Sequence, residues 1–567
     1  MTGGTDVDPE LLATVPLLTG LGAADRARLA ADAAVRSFAA GEWVFRRDDP
    51  GDSVFLVLSG RVEIVDAAGA VIRVLGASSA VGELALLTGA PRTASVRVRR
   101  DAELLEISAD RFDQLLADAP ELGVVLARYL ARLLQQGPAS AEQPPPRPRV
   151  VAIAGDAARV PLDRFAAAVV TTVAGMGERV ARLDADPAAL DAAERDHDLV
   201  VLVADLRDTA WVRFCSRQAD RTVTLVGADE RADRHCDLGG DLGGDPSGDV
   251  VVVADGAARG VPAWIAGLPL RGLHACDVRS LSAAAAALAR RLAGRSVGLV
   301  LSGGGAPALA HLGVLDACAA RGVAVERIGG VGTGALIGAL AATGRPPAEV
   351  ARICRTLLVD GPGPDRTLPL VALTRGRRTR SALEQVFGTV RIEDLPVEFF
   401  CVSTDLVRGE PVVHRRGRLA DAVRCSSALP GVVPPIPAGG RLLVDGGLLE
   451  DLPVAAMAAE DGPVVAVDAT ATLRWPPHVP TAGPLRRVGA ALRGWVAGVR
   501  EPLPDVAEVL SRVVAVGGGV GRARADLVIR PEPDGTGPME WARLDAVRER
   551  GRIAAEAAFD AHGPLVR

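Results

Sequence analysis

The chain has 567 residues, 49% hydrophobic, 24% charged and only 3% aromatic, with 64 basic and 70 acidic side chains and a net charge of −6. At about 150 residues per domain this length predicts three or four globular domains, the composition excludes a disordered chain, and the absence of long runs of one charge leaves no call for nucleic acid as a partner. There is no lysine and no asparagine; the first excludes a P-loop and the second removes asparagine from any catalytic role.

The N-terminus, MTGGTDVDPELL, is acidic and unlike a signal peptide. A β-rich module follows. FLVLSGRVEIV (Phe55–Val65) reads as two strands around Ser59-Gly60, TASVRVRR and AELLEIS as further alternating strands, and Leu122–Leu134 as a helix. Within this module Gly82–Val96 reads GELALLTGAPRTASV. A strand gives way to a short helix near Leu84, whose free backbone N–H groups can hold a phosphate. Arg92, nine residues after Glu83, can return and fork onto the same phosphate. Glu83 can accept from a ribose hydroxyl, Gly82 permits close backbone approach, and Thr93 adds a hydroxyl. The stretch resembles the phosphate-binding cassette of cyclic-nucleotide-binding domains, over roughly Val15–Gln136. The resemblance implies a β-roll that binds a cyclic nucleoside monophosphate, cAMP or cGMP, as a regulatory ligand. Glu83 would hold the ribose 2′-hydroxyl, Arg92 the cyclic phosphate, and Gly82, Glu83 and Leu84 would supply backbone groups, with Thr93 beside the phosphate or base. The plainer reading is an empty β-roll in which Glu83 and Arg92 form a surface ion pair.

Gly137–Arg149, GPASAEQPPPRPR, is a stiff proline-rich linker. Beyond it, over 150–295, the apolar runs VVAIAG, LVVLVAD, TVTLVGA and VVVVADG alternate with helical segments, as in a doubly wound parallel sheet. His197, Asp198 and Asp205 form no convincing metal set, because an Asp at a strand end more often caps the next helix. The segment resembles the connector of bacterial neuropathy target esterase-like proteins, which suggests a coupling role.

Three segments carry the chemistry of the third module (296–458). SVGLVLSGGG runs a strand into Gly303, Gly304 and Gly305 and then a helix, a layout for an oxyanion hole. IGGVGTGALIGAL (Ile328–Leu340) has the layout of a nucleophile elbow, with Gly332 where a serine should stand. RLLVDGGLLEDLPV ends a strand at Asp445, placed to take a nucleophile's proton. Together with CVSTDLVRGE and AVRCSSALPGVVPPI, these resemble the patatin-like phospholipase family, and with the N-terminal module the neuropathy target esterase branch. The resemblance implies lysophospholipid and carboxyl-ester hydrolysis by a Ser–Asp dyad. This chain departs from the pattern twice. Gly332 replaces the nucleophile, and Pro307 stands where the family carries arginine in its glycine loop. Neither Thr333, Ser302, Ser426 nor Ser427 lies where the nucleophile should, so the expectation is an impaired hydrolase acting as a regulator or lipid-binding protein. The alternative is an active (lyso)phospholipase or carboxylesterase under cyclic-nucleotide control.

The tail, 459–567, extends this domain with strand-like VVAVDAT and ADLVIRP and a closing helical segment from Met539 to Phe559. Within it Pro484–Arg500 forms a basic amphipathic helix, a candidate for contact with phospholipid or a membrane surface; the plainer reading packs it on its own domain. Seven cysteines without CxxC spacing point to buried thiols, with neither disulfides nor a metal. No stretch is long and apolar enough to span a bilayer, so a cytoplasmic protein, in peripheral contact with membrane at most, is expected. The expected fold is multidomain: an N-terminal β-roll, an α/β doubly wound connector and an α/β patatin-like domain. No cofactor beyond the regulatory nucleotide is implied.

Overall fold

A computed structural model describes residues 22–565, except 25, 28–33, 67–70, 77–78, 119–146, 230–247, 256–260, 267–269, 362, 364, 368–370, 471–524 and 533–534. The expected helices at 122–134 and 484–500, and most of the 137–149 linker, lie outside the described residues. The chain divides into two compact units, Met1–Val253 with Gly267–Gly272, and Ala254–Ala266 with Leu273–Arg567.

The first unit opens with strands β1 (Ala34–Phe38), β2 (Trp43–Phe45), β3 (Ser53–Val65), β4 (Val71–Leu75) and β5 (Ala80–Val81). Helix α1 (Glu83–Thr88), strand β6 (Ser95–Ser108) and helix α2 (Ala109–Asp118) follow. β3 and β6 pair antiparallel from Ser53↔Ser108 to Val65↔Ser95. The hairpin expected at Ser59-Gly60 is instead an irregularity within one long strand. A Cβ on Gly60 would stand 2.2 Å from the Asp101 carbonyl oxygen, and its φ is +82°. Gly60 is therefore glycine for a bulge pressed against β6, not for a turn. TASVRVRR and AELLEIS likewise fuse into β6, because inside–outside alternation runs through Asp101 unbroken. Phe55, Val57, Val62, Val98 and Leu104 form the core between these strands.

Strands β7 (Val150–Gly155), β8 (Val180–Leu183), β9 (Leu199–Asp205), β10 (Arg221–Gly227) and β11 (Asp249–Ala254) follow, with helices α3 (Leu162–Gly175), α4 (Leu190–Asp196) and α5 (Thr209–Gln218) between them. The strands lie in the order β11-β10-β7-β9-β8, all parallel. Helices cover the sheet, so β7 and β9 are buried almost throughout and read as unbroken apolar runs. Asp208 caps α5 at the Trp211 N–H, and Trp211 Nε1 donates to the Val203 carbonyl at 2.8 Å.

The second unit carries β12 (Gly272–Asp277) and α6 (Leu281–Leu292), then β13 (Val297–Leu301), α7 (Ala310–Ala320), β14 (Val325–Gly330), α8 (Gly332–Ala342), α9 (Pro347–Cys354) and α10 (Arg377–Phe387). It continues through β15 (Glu398–Asp405), β16 (Glu410–His414), α11 (Leu419–Ser426), β17 (Ile436–Ala438), β18 (Arg441–Asp445), β19 (Val464–Val467) and β20 (Leu527–Ile529) to α12 (Leu544–His562). Its mixed sheet runs β17-β18-β15-β14-β13-β19-β20, with β16 also on β15. Fully buried Arg327 ties β14 to the loop behind it, donating to the carbonyls of Ser296 at 2.6 Å and Gly462 at 3.0 Å and to that of Ala458. Helices α7 and α12 touch backbone to backbone: a Cβ on Gly313 would lie 1.8 Å from the Arg548 carbonyl oxygen, and one on Gly551 1.9 Å from that of Ala310.

Candidate functional site

β14 ends at Gly330, Val331 is extended at φ −133° and ψ 144°, and α8 starts at Gly332, whose φ is +56°. A left-handed residue between strand and helix is the backbone signature of a nucleophile elbow, and here the position holds only hydrogen. The tip is braced from α11: the Gly332 N–H donates to Ser426 Oγ at 3.2 Å, Ser426 Oγ donates to the Val402 carbonyl at 2.7 Å, and Ser427 Oγ donates to the Gly332 carbonyl at 3.2 Å. Both serines thus hold the bend. Thr333 lies inside α8, one residue past the tip.

Asp445, at the end of β18, faces the same point. A Cβ on Gly332 would stand 3.2 Å from Asp445 Oδ2 and 3.7 Å from the Gly303 Cα. Asp445 Oδ1 accepts the Gly447 N–H at 2.8 Å and so caps the following turn. Burial pushes this carboxyl up to about 7; the Gly447 N–H opposes the rise and the charge of Asp451 adds to it.

The glycine loop completes the cluster. Gly304 and Gly305 have φ of +116° and +68°. Of the backbone groups from 303 to 307, the Gly303 N–H donates to the Asp451 carbonyl at 3.3 Å and the Ala306 N–H to the Pro538 carbonyl at 2.8 Å. Pro307 has no N–H. Among the described residues, the Gly304 and Gly305 N–H groups carry no partner. Ser302 Oγ accepts the Ala469 N–H at 2.9 Å, which makes it a structural support of the loop. Sequence reasoning passed over His311, on α7. Its Nε2 contacts the Ser302 carbonyl at 2.9 Å, and burial holds its ring down to about 4, so it is neutral at ordinary pH. Histidine within an otherwise small and apolar helix start was the available signal. Asp451 and Pro538 gave no such signal, because only the folded chain brings them to the loop.

In the first unit, α1 begins at Glu83 with Gly82 at φ 87° as its N-cap. Arg92 is 2% exposed. Its guanidinium lies 4.2 Å over the Phe45 ring and donates to the Gly82 carbonyl at 3.0 Å and to Ser53 Oγ at 3.1 Å, with Asp52 at 3.8 Å. Among the described residues no ion pair joins Arg92 to Glu83. Burial raises the Glu83 carboxyl above its ordinary value, opposed by its own backbone N–H, Arg73 and Arg92. Leu84 and Thr93 are exposed beside this cluster. The cassette therefore gathers an inward-facing guanidinium, a helix start and a partly desolvated acid.

His197, Asp198 and Asp205 do not converge: His197 Nδ1 contacts the Ala193 carbonyl, Asp198 pairs with Arg179, and Asp205 with Arg207. Among the described residues no group of three or more possible metal ligands exists, and no helix is long and apolar enough to cross a membrane. Burial raises the thiols of Cys215, Cys318 and Cys354 to about 12.

The patatin-like phospholipase family model matches residues 299–458, and the cyclic nucleotide-binding domain model matches 35–119. An uncharacterized NTE family protein of Mycobacterium tuberculosis is 34% identical over 592 residues, covering 100% of this chain and 98% of its own length, and one from Mycobacterium bovis matches equally. Lysophospholipase NTE1 of Mycosarcoma maydis is 26% identical, covering 93% of this chain but 34% of its own. Among solved structures, cAMP-bound PfPKA-R is 22% identical over 22% of this chain and 44% of its own, with a TM-score of 0.21. The N-terminal domain of a transcriptional regulator from Streptomyces coelicolor A3(2) is 30% identical over 22% of this chain and 90% of its own, with a TM-score of 0.20.

Proposed function

The chain belongs to the NTE family, and from that premise we propose that this member is a cyclic-nucleotide-responsive protein whose patatin-like body no longer turns over esters through a serine. The proposed divisions are a nucleotide-binding domain over 15–136, a linker to 149, a connector to 295, and the patatin-like domain over 296–458 with its extension to 567. The observation that carries the proposal is Gly332 at the tip of the elbow, facing Asp445. A Ser–Asp dyad works because the carboxylate takes the hydroxyl proton as oxygen attacks the ester carbonyl. Without the oxygen no acyl-enzyme forms. Water at the same place forfeits covalent catalysis and the proximity of a tethered nucleophile, which is worth about 7–11 kcal/mol at best. The loop beside it is weakened as well: Ala306 gives its N–H to Pro538, Pro307 has none, and the arginine of the family pattern is missing.

In the cassette, cyclic phosphate oxygens would take over the Arg92 donors now spent on the Gly82 carbonyl and Ser53, together with the N–H groups opening α1. Two donors in a fixed fork suit a phosphate. Glu83 would accept the ribose hydroxyl, Leu84 would add a backbone group, and Thr93 would stand beside the phosphate or base. The ligand is cAMP or cGMP. The patatin-like body would then bind phospholipid or a protein partner instead of cleaving lipid, and would meet membrane peripherally.

Two measurements test this. Calorimetry with cAMP and cGMP should give heat with at least one of them; none with either, at high protein concentration, removes the sensor. A turnover assay with lysophospholipid and p-nitrophenyl esters should show no hydrolysis that Asp445→Ala abolishes. Hydrolysis lost in that variant would establish a working esterase.

A further inference from the structure

Arg61 on β3 and Arg100 on β6 are cross-strand partners in the β-roll. Like charges directly opposite one another destabilise a sheet, and these two are also shielded from water, with side chains 12% and 5% exposed. Among the described residues no acidic side chain of the β-roll pairs with either. The compensation comes from the connector. Asp220, just before β10, meets Arg61 Nε at 3.0 Å and Arg100 Nη1 at 3.9 Å. Glu194 on α4 takes Arg100 through two N–H groups, one at 3.0 Å, and Gln218 at the end of α5 accepts from Arg100 Nε at 3.3 Å. Two guanidinium groups thus face two carboxylates across the boundary between β-roll and connector.

Asp220 does more than neutralise. Its other oxygen, Oδ2, accepts the N–H groups of Arg149 and Val150 at 2.7 and 3.0 Å. One carboxylate therefore forms an ion pair with a β-roll arginine through Oδ1 and accepts from the last residue of the proline-rich linker and the first of β7 through Oδ2. A second bridge lies beside it: Asp101 of β6 accepts the Ala40 N–H at 2.8 Å with Oδ1, and Arg217 and Gln218 of α5 at 3.1 and 3.2 Å with Oδ2. At the far end of β3, Ser53 Oγ is a partner of Arg92 in the phosphate cassette. A single strand therefore carries one contact to the cassette and one to the connector.

We propose that the Arg61–Arg100–Asp220–Glu194 cluster is a coupling joint through which nucleotide occupancy of the β-roll is felt by the connector. The inference rests on the reading of the cassette as a cyclic-nucleotide site. Phosphate capture draws Arg92 from Ser53 at the start of β3. The buried pairs at Arg61 transmit the adjustment, because a buried charge cannot leave its partner without replacement. Coupling between two sites is reciprocal, so loosening the joint changes nucleotide affinity as well.

The test uses the full chain and four variants. Arg61→Gln and Asp220→Asn cut the joint, Glu194→Gln weakens it at its more exposed edge should the others fold poorly, and Arg36→Gln is a control on an exposed pair with Glu106. Hydrogen exchange is followed with and without saturating cAMP or cGMP, whichever calorimetry shows to bind. In the wild type and the control, nucleotide should change exchange in 149–155 and 219–227 by about fivefold or more. Arg61→Gln and Asp220→Asn should bind nucleotide without that response, and with affinity shifted about fivefold; Glu194→Gln should respond partially. An unchanged response in the joint variants, or none in saturated wild type, overturns the joint. Absence of nucleotide heat in the wild type overturns the cassette reading instead, and the relay falls with it.

Discussion

Oδ2 of Asp445 lies 3.2 Å from the place a Cβ would take on Gly332, so one more bond from that carbon puts a hydroxyl within hydrogen-bond reach of the carboxylate. The elbow keeps the left-handed φ that the reactive position requires, at a cost to an L residue of about 1–2 kcal/mol. Gly332→Ser should therefore fold and acquire covalent labelling by a fluorophosphonate, where the wild type takes none. Labelling should vanish in Gly332→Ser/Asp445→Asn. Turnover of p-nitrophenyl esters should remain well below that of a complete hydrolase, because a missing oxyanion donor alone lowers kcat about 100- to 1,000-fold. A Gly332→Ser protein that folds yet resists the probe would show that the dyad geometry is lost.

Arg92 is the buried cation of the cassette, and hydrogen bonds to a charged group contribute about 1.5–3 kcal/mol each. Arg92→Ala should weaken cyclic-nucleotide binding about a hundredfold or more in calorimetry. Gly82→Ala attacks the same site sterically: its Cβ would fall 2.4 Å from Arg92 Nη1, on a backbone at φ +87°. It should reduce binding without removing any charge. Affinity retained in Arg92→Ala would move the phosphate elsewhere.

The parts legible in the sequence were those fixed by local spacing. GELALLTGAPR carries helix start, acid and arginine within eleven residues, and Gly332 announces a missing side chain by itself. The unbroken apolar runs of the connector likewise reported a sheet buried on both faces. Long-range partners left no such trace. The cross-strand Arg61–Arg100 pair reads as two ordinary surface arginines until the connector supplies Asp220 and Glu194. The Pro538 carbonyl, which takes a donor from the glycine loop, lies more than two hundred residues away from it along the chain. Ser59-Gly60 misled in the opposite direction, since a dipeptide common in turns also serves a bulge inside a long strand.

Burial holds the Asp445 carboxyl near 7, well above the ordinary value of about 3.9. The folded chain keeps this proton where the unfolded chain has released it. Its contribution to stability therefore falls as pH rises from about 4 through 7, and the full penalty stands above 7. Asp445→Asn retains an oxygen for the Gly447 N–H and has no charge to bury. Relative to wild type, the variant should gain about 2 kcal/mol between pH 4 and pH 8, since each tenfold in proton affinity is worth about 1.4 kcal/mol and partial exposure screens some of the total. Denaturant melts of both proteins at the two pH values check this. A gap that is the same at both would mean the carboxyl titrates normally.

Gly551 sits in the middle of α12, where alanine would ordinarily favour the helix by about 1 kcal/mol. Here the expected sign reverses. A Cβ at this position would lie 1.9 Å from the Ala310 carbonyl oxygen, and that oxygen belongs to the backbone of α7, so no side-chain rotation relieves the clash. The helices must separate, and the apolar contacts of Leu544, Val547 and Phe559 with the core loosen with them. Overpacking of this kind costs about 1–3 kcal/mol even where a side chain can yield. Gly551→Ala should therefore destabilise the second unit by about 2 kcal/mol or more, and Gly313→Ala, opposed by the Arg548 carbonyl, by a similar amount. Ile553→Ala, on the exposed face of the same helix, is the comparison and should change little. Urea melts of the three variants decide it. A stabilised Gly551→Ala would mean that α12 does not pack on α7 at this contact.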